Sequence, residues 1–416
     1  MADQEFVAPP YVKNMQRVDT YSEIDEILRS TAFRQGSHQE SHMFFGESLL
    51  LMDGPGHMER RMLFASLVSK SAMHYYESQA LAPVIDKVIA ELKEKGRGAD
   101  GLVRTDLVPL IRTMLHRITA LVTGVDKVDS PETTERFRWL VDRLGEAATV
   151  EWSTRDHEEV IKEGLAVRKM LIDEFLQPSL DRRRELVRRQ KAGEIAKEDL
   201  PVDLFTLLCQ TGDDARPGDE TYIWREAALF LVASTQTTTH TLPHVIVHLT
   251  EWCKTHAEDA PKVTDPIFLR RAATESLRLH QPAPTLLRIA LEDVTLSSGR
   301  QIKKDERVAL FFAPANRDER FGPDPYGFNP YRAAPHGAQA WGLTFGGGVH
   351  MCIGRPLVTG MFNRTDDLTG TEGTMIKILR VLYELGVELD PASPPQKMAV
   401  SYHDAYGVFP VILRKL

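Results

Sequence analysis

The chain has 416 residues, 42% apolar and 26% charged, with a net charge of −8. That composition supports a large folded core and argues against nucleic acid as the main partner. Three scattered cysteines, Cys209, Cys253 and Cys352, exclude a disulfide framework, and with no CxxC pair they argue against zinc. Met1–Pro10 has no apolar run that reads as a signal peptide, and no stretch reaches the 18 apolar residues of a membrane span, so a cytoplasmic protein is expected.

In chain order, Tyr21–Ser30 reads as an amphipathic helix with Ile24, Ile27 and Leu28 on one face. Leu81–Lys95, Leu107–Thr123 and Glu158–Phe175 follow with the same periodicity. The charged run Asp181–Lys191 reads as a solvated helix end and loop. A long segment from about Glu220 to His256 reads as one helix bent near Pro243. Phe268–Leu279 is helix-like, and Asp293–Arg307 reads as a hairpin turning at Ser298-Gly299. Val308–Phe312 and Gly407–Leu413 are strand-like. No internal repeat and no Pro/Gly/Ser linker divides the chain. The expectation is a mainly α fold with a small β part, one domain over residues 1–416.

The most informative run is Phe345-Gly346-Gly347-Gly348-Val349-His350-Met351-Cys352-Ile353-Gly354. It sets one cysteine in a glycine-rich bend ahead of a helix-like stretch. Helix N–H groups and the helix dipole there favour a thiolate, and the glycines allow close approach to a flat group. An isolated cysteine is usually a small buried hydrophobe. The glycines do not form a phosphate loop, because no Lys-Ser/Thr follows them.

This run resembles the haem-binding loop of the cytochrome P450 family. The resemblance extends over roughly Tyr21 to the end, in the order Glu275-x-x-Arg278, Asn316-Arg317-Asp318, Phe328-Asn329-Pro330-Tyr331-Arg332 and then the loop. It implies haem b on a Cys352 thiolate, with Phe345, Gly348 and Gly354 shaping the loop. It implies that His57, Arg61, Arg288 and His350 bind the propionates. Glu275, Arg278 and Arg332 match a structural triad of buried charges. In Ala233-Ser234-Thr235-Gln236-Thr237-Thr238, Thr237 falls on the family's oxygen-activating threonine. Gln236 stands where the family has an acid, and Ser234 where it has a glycine. Threonine hydroxyls in such a run also bond back to i−4 carbonyls and merely bend the helix.

By the same resemblance, substrate contacts come from Met43–Leu50, Leu229–Ala233, Thr285–Leu287 and Val400–Tyr402, including Phe45, Ala233, Leu286, Leu287 and Ser401. The implied activity is a soluble, bacterial-type monooxygenase oxidising a small apolar or aromatic metabolite, with electrons from a ferredoxin and its reductase. A peroxide-driven enzyme, a coupling or rearrangement catalyst, and a haem-binding sensor are the rivals. Two departures stand out. The lead before Tyr21 is short, which puts part of the sheet in doubt. Phe362–Thr374, with Gly370 and Gly373, reads as an insertion breaking the helix after Cys352, near the face where redox partners dock in the family.

Overall fold

The computed structural model describes residues 9–94, 96–98, 100–214, 221–361 and 370–416. The helices are α1 (Tyr21–Arg29), α2 (His42–Phe45), α3 (Gly54–Ala65), α4 (Lys70–Tyr76), α5 (Ala82–Glu94), α6 (Leu107–Thr123), α7 (Pro131–Ala148), α8 (His157–Leu171), α9 (Gln177–Lys191), α10 (Leu204–Thr211), α11 (Tyr222–Thr255), α12 (Pro266–Leu279), α13 (Phe312–Ala315), α14 (Arg355–Thr359) and α15 (Thr374–Glu384). Several begin where side chains satisfy the first free N–H groups. The Asp106 carboxylate accepts from Val108 N–H at α6, and Asp156 from Glu159 N–H at α8. Ser130 and Thr133 form a reciprocal cap at α7, with Pro131 as its first residue. Gly124 ends α6 in the left-handed conformation, at φ 93°.

The strands are β1 (Gln16–Val18), β2 (Phe33–Gln35), β3 (Val103–Asp106), β4 (Thr285–Ala290), β5 (Val294–Thr295), β6 (Gln301–Ile302), β7 (Arg307–Phe311), β8 (Val387–Leu389), β9 (Gln396–Lys397), β10 (Tyr406–Val408) and β11 (Pro410–Leu413). The largest sheet runs β1-β7-β4-β2. Its edge strand β1 pairs parallel with β7, Gln16 opposite Val308, so the short N-terminal lead does supply a strand. The expected hairpin is β5–β6, with Val294 opposite Ile302.

One element differs from expectation. Residues 181–191 are helix throughout, as part of α9, which follows α8 through a wide turn at Ile172–Leu176. Arg183 there is buried rather than solvated. Its Nε donates to Asp203 at 2.8 Å and its Nη1 to Asp126 at 3.0 Å. The helix after Cys352 breaks as expected, into α14 and α15. Phe362 and the residues to 369 lie outside the described residues. The flanks meet closely, with Met361 bridged to Thr371 and Thr374 Oγ1 donating to Leu357 O at 3.1 Å.

Helix α11 crosses two apolar cores. Its first half, from Tyr222 to Val232, packs with α7, α8 and α10. Its second half, Leu242 to Leu249, packs with α5, α6, α12 and α15. Between them lies a polar run, Ser234–Thr241, so the hydroxyl-rich segment sits at the boundary of the cores. Helix α3 is tied to α11 by a buried ion pair, Arg60 Nη1 to Glu226 Oε1 at 2.5 Å, and Glu226 also accepts from Leu49 N–H. Among the described residues no helix is long and apolar enough to cross a membrane.

Gly360 holds the α14–α15 join at φ 74°, ψ 177°, a conformation open essentially to glycine alone. A Cβ there would lie 2.0 Å from Thr371 O. Gly360→Ala is expected to lower stability by at least ~1–3 kcal/mol, read as a fall in melting temperature of the haem-loaded protein.

Candidate haem site

The Cys352 loop is built from several anchors. Cys352 N–H donates to Phe345 O at 2.8 Å, and the Phe345 ring stands edge-on to Trp341 at 5.7 Å. The N–H groups of Gly354 and Arg355, at the start of α14, donate to the Cys352 sulfur. Arg61 Nη2 donates to Met351 O at 2.6 Å and so ties α3 to the loop. The residue has exposed surface, yet its thiol behaves as a buried group. The glycines have separate jobs. Gly348, at φ 59°, lies so close to α1 that a Cβ would sit 2.1 Å from Leu28 O. Gly346 has φ 70° and only His350 O within 4 Å, at 3.7 Å, while the sole neighbour of a Cβ on Gly354 is the Cys352 sulfur at 3.9 Å. Close approach to a flat group is thus left to Gly346 and Gly354, and Gly348 serves packing.

The sequence suggested that the N–H donors would favour a thiolate. Burial is the larger influence and raises the Cys352 pKa, against the lowering by Gly354 and Arg355 N–H groups and the Arg61 and Arg355 guanidiniums. A thiolate here therefore requires a cation at the sulfur itself.

The four candidate propionate ligands come together. His57 and His350 face each other at 4.2 Å between ring centroids. His350 Nε2 bonds Asp53 at 3.0 Å. Asp53 Oδ2 accepts from Gln35 N–H, and Gln35 Oε1 accepts from Arg288 Nη1 at 2.6 Å. Asp53 is a member that sequence reasoning missed. Its place one residue before α3 is the signal that would have found it. Burial, then His350 and Arg61, push the His57 pKa down to about 4, so His57 is a neutral donor and not the cation expected. Burial lowers Arg288 to about 10, which leaves it charged at neutral pH. Arg288 is 3% exposed and bonds only neutral oxygens, Gln35 Oε1 and Leu287 O, with no ion pair among the described residues.

On α11, Ala233 is exposed and Thr237 half-buried one turn later. Thr237 Oγ1 donates to Ala233 O at 2.8 Å, and Ser234, Thr235, Thr239 and Thr241 make the same i−4 bonds. Thr238 Oγ1 is buried and has no partner among the described residues. Gln236 points elsewhere. Its amide lies over α7, where a Cβ on Gly145 would be 2.0 Å from Nε2, and it borders a polar cavity of about 310 Å³ with His240, Asp142, Arg138 and His403. Ser401 borders the same cavity. Phe45 and Leu287 do not offer substrate surface. Phe45 is 2% exposed in the core around α7 and α8, and Leu287 is 3% exposed against Val12, Ala309 and Phe311. Leu286, on the other sheet face, packs partly against the core beneath α1.

The triad residues are in contact. Arg278 grips Glu275 with two bonds of 2.7 and 2.8 Å, and Arg332 Nε donates to Glu275 at 2.8 Å. Glu275 is 3% and Arg278 0% exposed.

These residues fit a haem. A cysteine sulfur held by two N–H groups in a glycine loop, a buried guanidinium facing only neutral oxygens and two open glycines are what the group requires. The sequence model of the family described as "Cytochrome P450" matches residues 263–361. A "Putative cytochrome P450 YjiB" of Bacillus subtilis is 25% identical over 342 residues, covering 81% of this chain and 76% of that one. "Linalool 8-monooxygenase" of Pseudomonas putida is 25% identical over 348 residues, 80% and 75%. Relatives at 34% identity are matched over only about a third of their own length, 36% for "Cytochrome P450 109" of Bacillus spizizenii. The crystal structure of P450BioI with a hexadec-9Z-enoic acid ligated acyl carrier protein superposes with a TM-score of 0.67 at 18% identity, over 95% of this chain and 92% of that one. The chain is similar in sequence to cytochrome P450s and shares their fold. It is an oxidoreductase of the monooxygenase type, and the family implies haem held by a cysteine thiolate and a small-molecule substrate.

Two outcomes are expected. Glu275→Ala leaves two guanidiniums without their carboxylate and should cost on the order of 3–5 kcal/mol, read by denaturant unfolding and by yield of haem-loaded protein. The second concerns pH. His116, beside the polar cavity on α6, is fully buried, and burial lowers its pKa from 6.5. Its imidazole is neutral in the fold, whereas the unfolded chain takes up a proton below about 6.5. Its contribution to stability is present above 6.5 and is lost as pH falls toward the folded value, at up to ~1.4 kcal/mol per pH unit. The melting temperature of His116→Gln should therefore fall less steeply between neutral pH and pH 5 than that of the wild type.

Proposed function

We propose that the chain is a haem-thiolate monooxygenase, folded as one domain, that takes haem b on Cys352 and uses dioxygen to hydroxylate a small apolar or aromatic metabolite. Electrons come one at a time from a ferredoxin with its reductase. The observation that carries the reading is the Cys352 sulfur accepting two N–H bonds in a glycine loop, beside the cluster of His57, Arg61 and His350.

Bound haem supplies activation of dioxygen, and the thiolate ligand pushes electron density that favours O–O cleavage. The chain supplies the rest. Arg61 and Arg288 provide positive charge for the propionates, with His57 and His350 as ring donors. Ala233 leaves room for substrate against α11. Thr237, released from its bond to Ala233 O, holds a proton at Oγ1 on the cleft side of the helix. Gln236 turns to the polar cavity on the other side and orders water there through its amide, which cannot ionise.

That inability supports a second reading, in which peroxide replaces dioxygen and reductant. Product formed per NADH consumed, with surrogate ferredoxin and reductase, separates the two. The first reading expects coupled turnover that falls in Thr237→Ala, with reducing equivalents diverted to hydrogen peroxide. Product formed only on added peroxide establishes the second.

Cys352→Ser should abolish the thiolate signature in the spectrum of the ferrous carbon monoxide form and leave haem loosely held. Survival of that signature would refute the assignment of Cys352.

A further inference from the structure

Outside the haem cleft, α11 carries His240, His244 and His248 at successive i+4 positions, a stripe along one face. His244 meets two distant segments. His280 follows the end of α12, and Asp404 lies in the turn between β9 and β10. The His280 ring stacks on His244 with centroids 4.0 Å apart. His280 Nδ1 is 2.8 Å and His244 Nε2 4.0 Å from Asp404 Oδ2, and His244 Nε2 is 2.9 Å from Asp404 O. One donor atom from each residue falls within 4.8 Å of the others, the one such convergence of three histidine, cysteine or carboxylate ligands among the described residues.

We propose that His244, His280 and Asp404 bind a divalent transition-metal ion of the zinc class, at a site separate from the haem. Ligands at ~2.0–2.2 Å around a tetrahedral ion stand roughly 3.3 Å apart. The two contacts to Asp404 Oδ2, 2.8 and 4.0 Å, bracket that spacing, and binding turns His280 out of its stack on His244 so that both ring nitrogens face the ion. Two imidazoles and one carboxylate form the nitrogen–oxygen donor set that such ions take. His244 is 3% exposed, so an ion there would be shielded from water on the α11 side. Asp404 is largely exposed and gives the ion an entry path and an open position for water. Coordination replaces the bonds that His244 and His280 now make to Asp404, with each ring proton on the other nitrogen. The competitor is Lys397, whose ammonium bonds Asp404 Oδ1. His248, 5.1 Å from His280 and bonded to Ser276 Oγ, stays outside the ligand set.

The ion would join α11, the end of α12 and the turn at 398–405. Met398, Val400 and Ser401 of that turn border the polar cavity beside Gln236. Its role is a clamp on the turn.

The test is equilibrium dialysis of the haem-loaded protein against buffered zinc, followed by metal analysis. The wild type is expected to retain one zinc per chain beside its iron at micromolar free zinc. His280→Ala and Asp404→Asn, both partly exposed positions, should each weaken retention by more than the ~10–100-fold that an outer-sphere partner is worth. Lys397→Met should tighten it. Zinc should slow hydrogen exchange in residues 398–406 of the wild type and not of the Asp404→Asn protein. No zinc retained at micromolar concentration, or equal retention by the wild type, His280→Ala and Asp404→Asn, overturns the proposal.

Discussion

The arrangement of the haem side rests on one buried carboxylate. Glu275 accepts from two guanidiniums and from the Asn329 N–H, so neither charge is left bare in the interior. The network does not stop there. Arg278 also donates to Asn316 O at 2.6 Å, and the Asn316 side chain accepts from Leu343 N–H at 2.7 Å and donates to Thr344. Thr344 Oγ1 returns to Leu277 O on α12. Phe345 is the next residue, and its carbonyl holds Cys352 N–H. Satisfaction of one buried charge thus sets the position of the segment that leads into the cysteine loop.

The middle of α11 is organised by the need to satisfy its hydroxyls. The run Ser234–Thr241 lies where the two apolar cores of α11 meet, and five of its hydroxyls bond to their own helix carbonyls. This is the bland behaviour of threonine in a helix. It also means that Thr237 is silent until a ligand offers Oγ1 a better partner than Ala233 O. Charge near the cleft is similarly economical. Arg61 and Arg288 keep theirs, while His57 is deprotonated by burial beside them.

Much of this was legible in the chain. Helices with strong periodicity and good caps, such as α6 between Asp106 and Gly124, fall on their expected bounds because local signals and packing agree. The cysteine loop was readable because glycine spacing around one thiol is a dense local pattern. What failed was decided at a distance. Asp181–Lys191 looks solvated by composition, but Arg183 finds Asp126 and Asp203 from other segments. The direction of Gln236 depends on a glycine, Gly145, on a different helix. The neutrality of His57 follows from burial beneath His350, which no local window contains. Phe45 and Leu287 are apolar and read equally well as pocket or core.

The join between α14 and α15 has a consequence for how this chain can vary. Gly373 sits 2.4 Å, by its would-be Cβ, from Gly360 N, and the Met361–Thr371 bridge closes the excursion at its neck. The start of α15 is tied to α14 by the bond from Thr374 Oγ1 to Leu357 O, on the closed side of that neck. Segments of other lengths can be spliced there without shifting α15, and the cost of a longer loop grows only with the logarithm of its length. The interruption thus marks a point where the gene can gain or lose sequence, and where a reporter or affinity peptide can be inserted, while the ligand loop of Cys352 stays in frame with its helix.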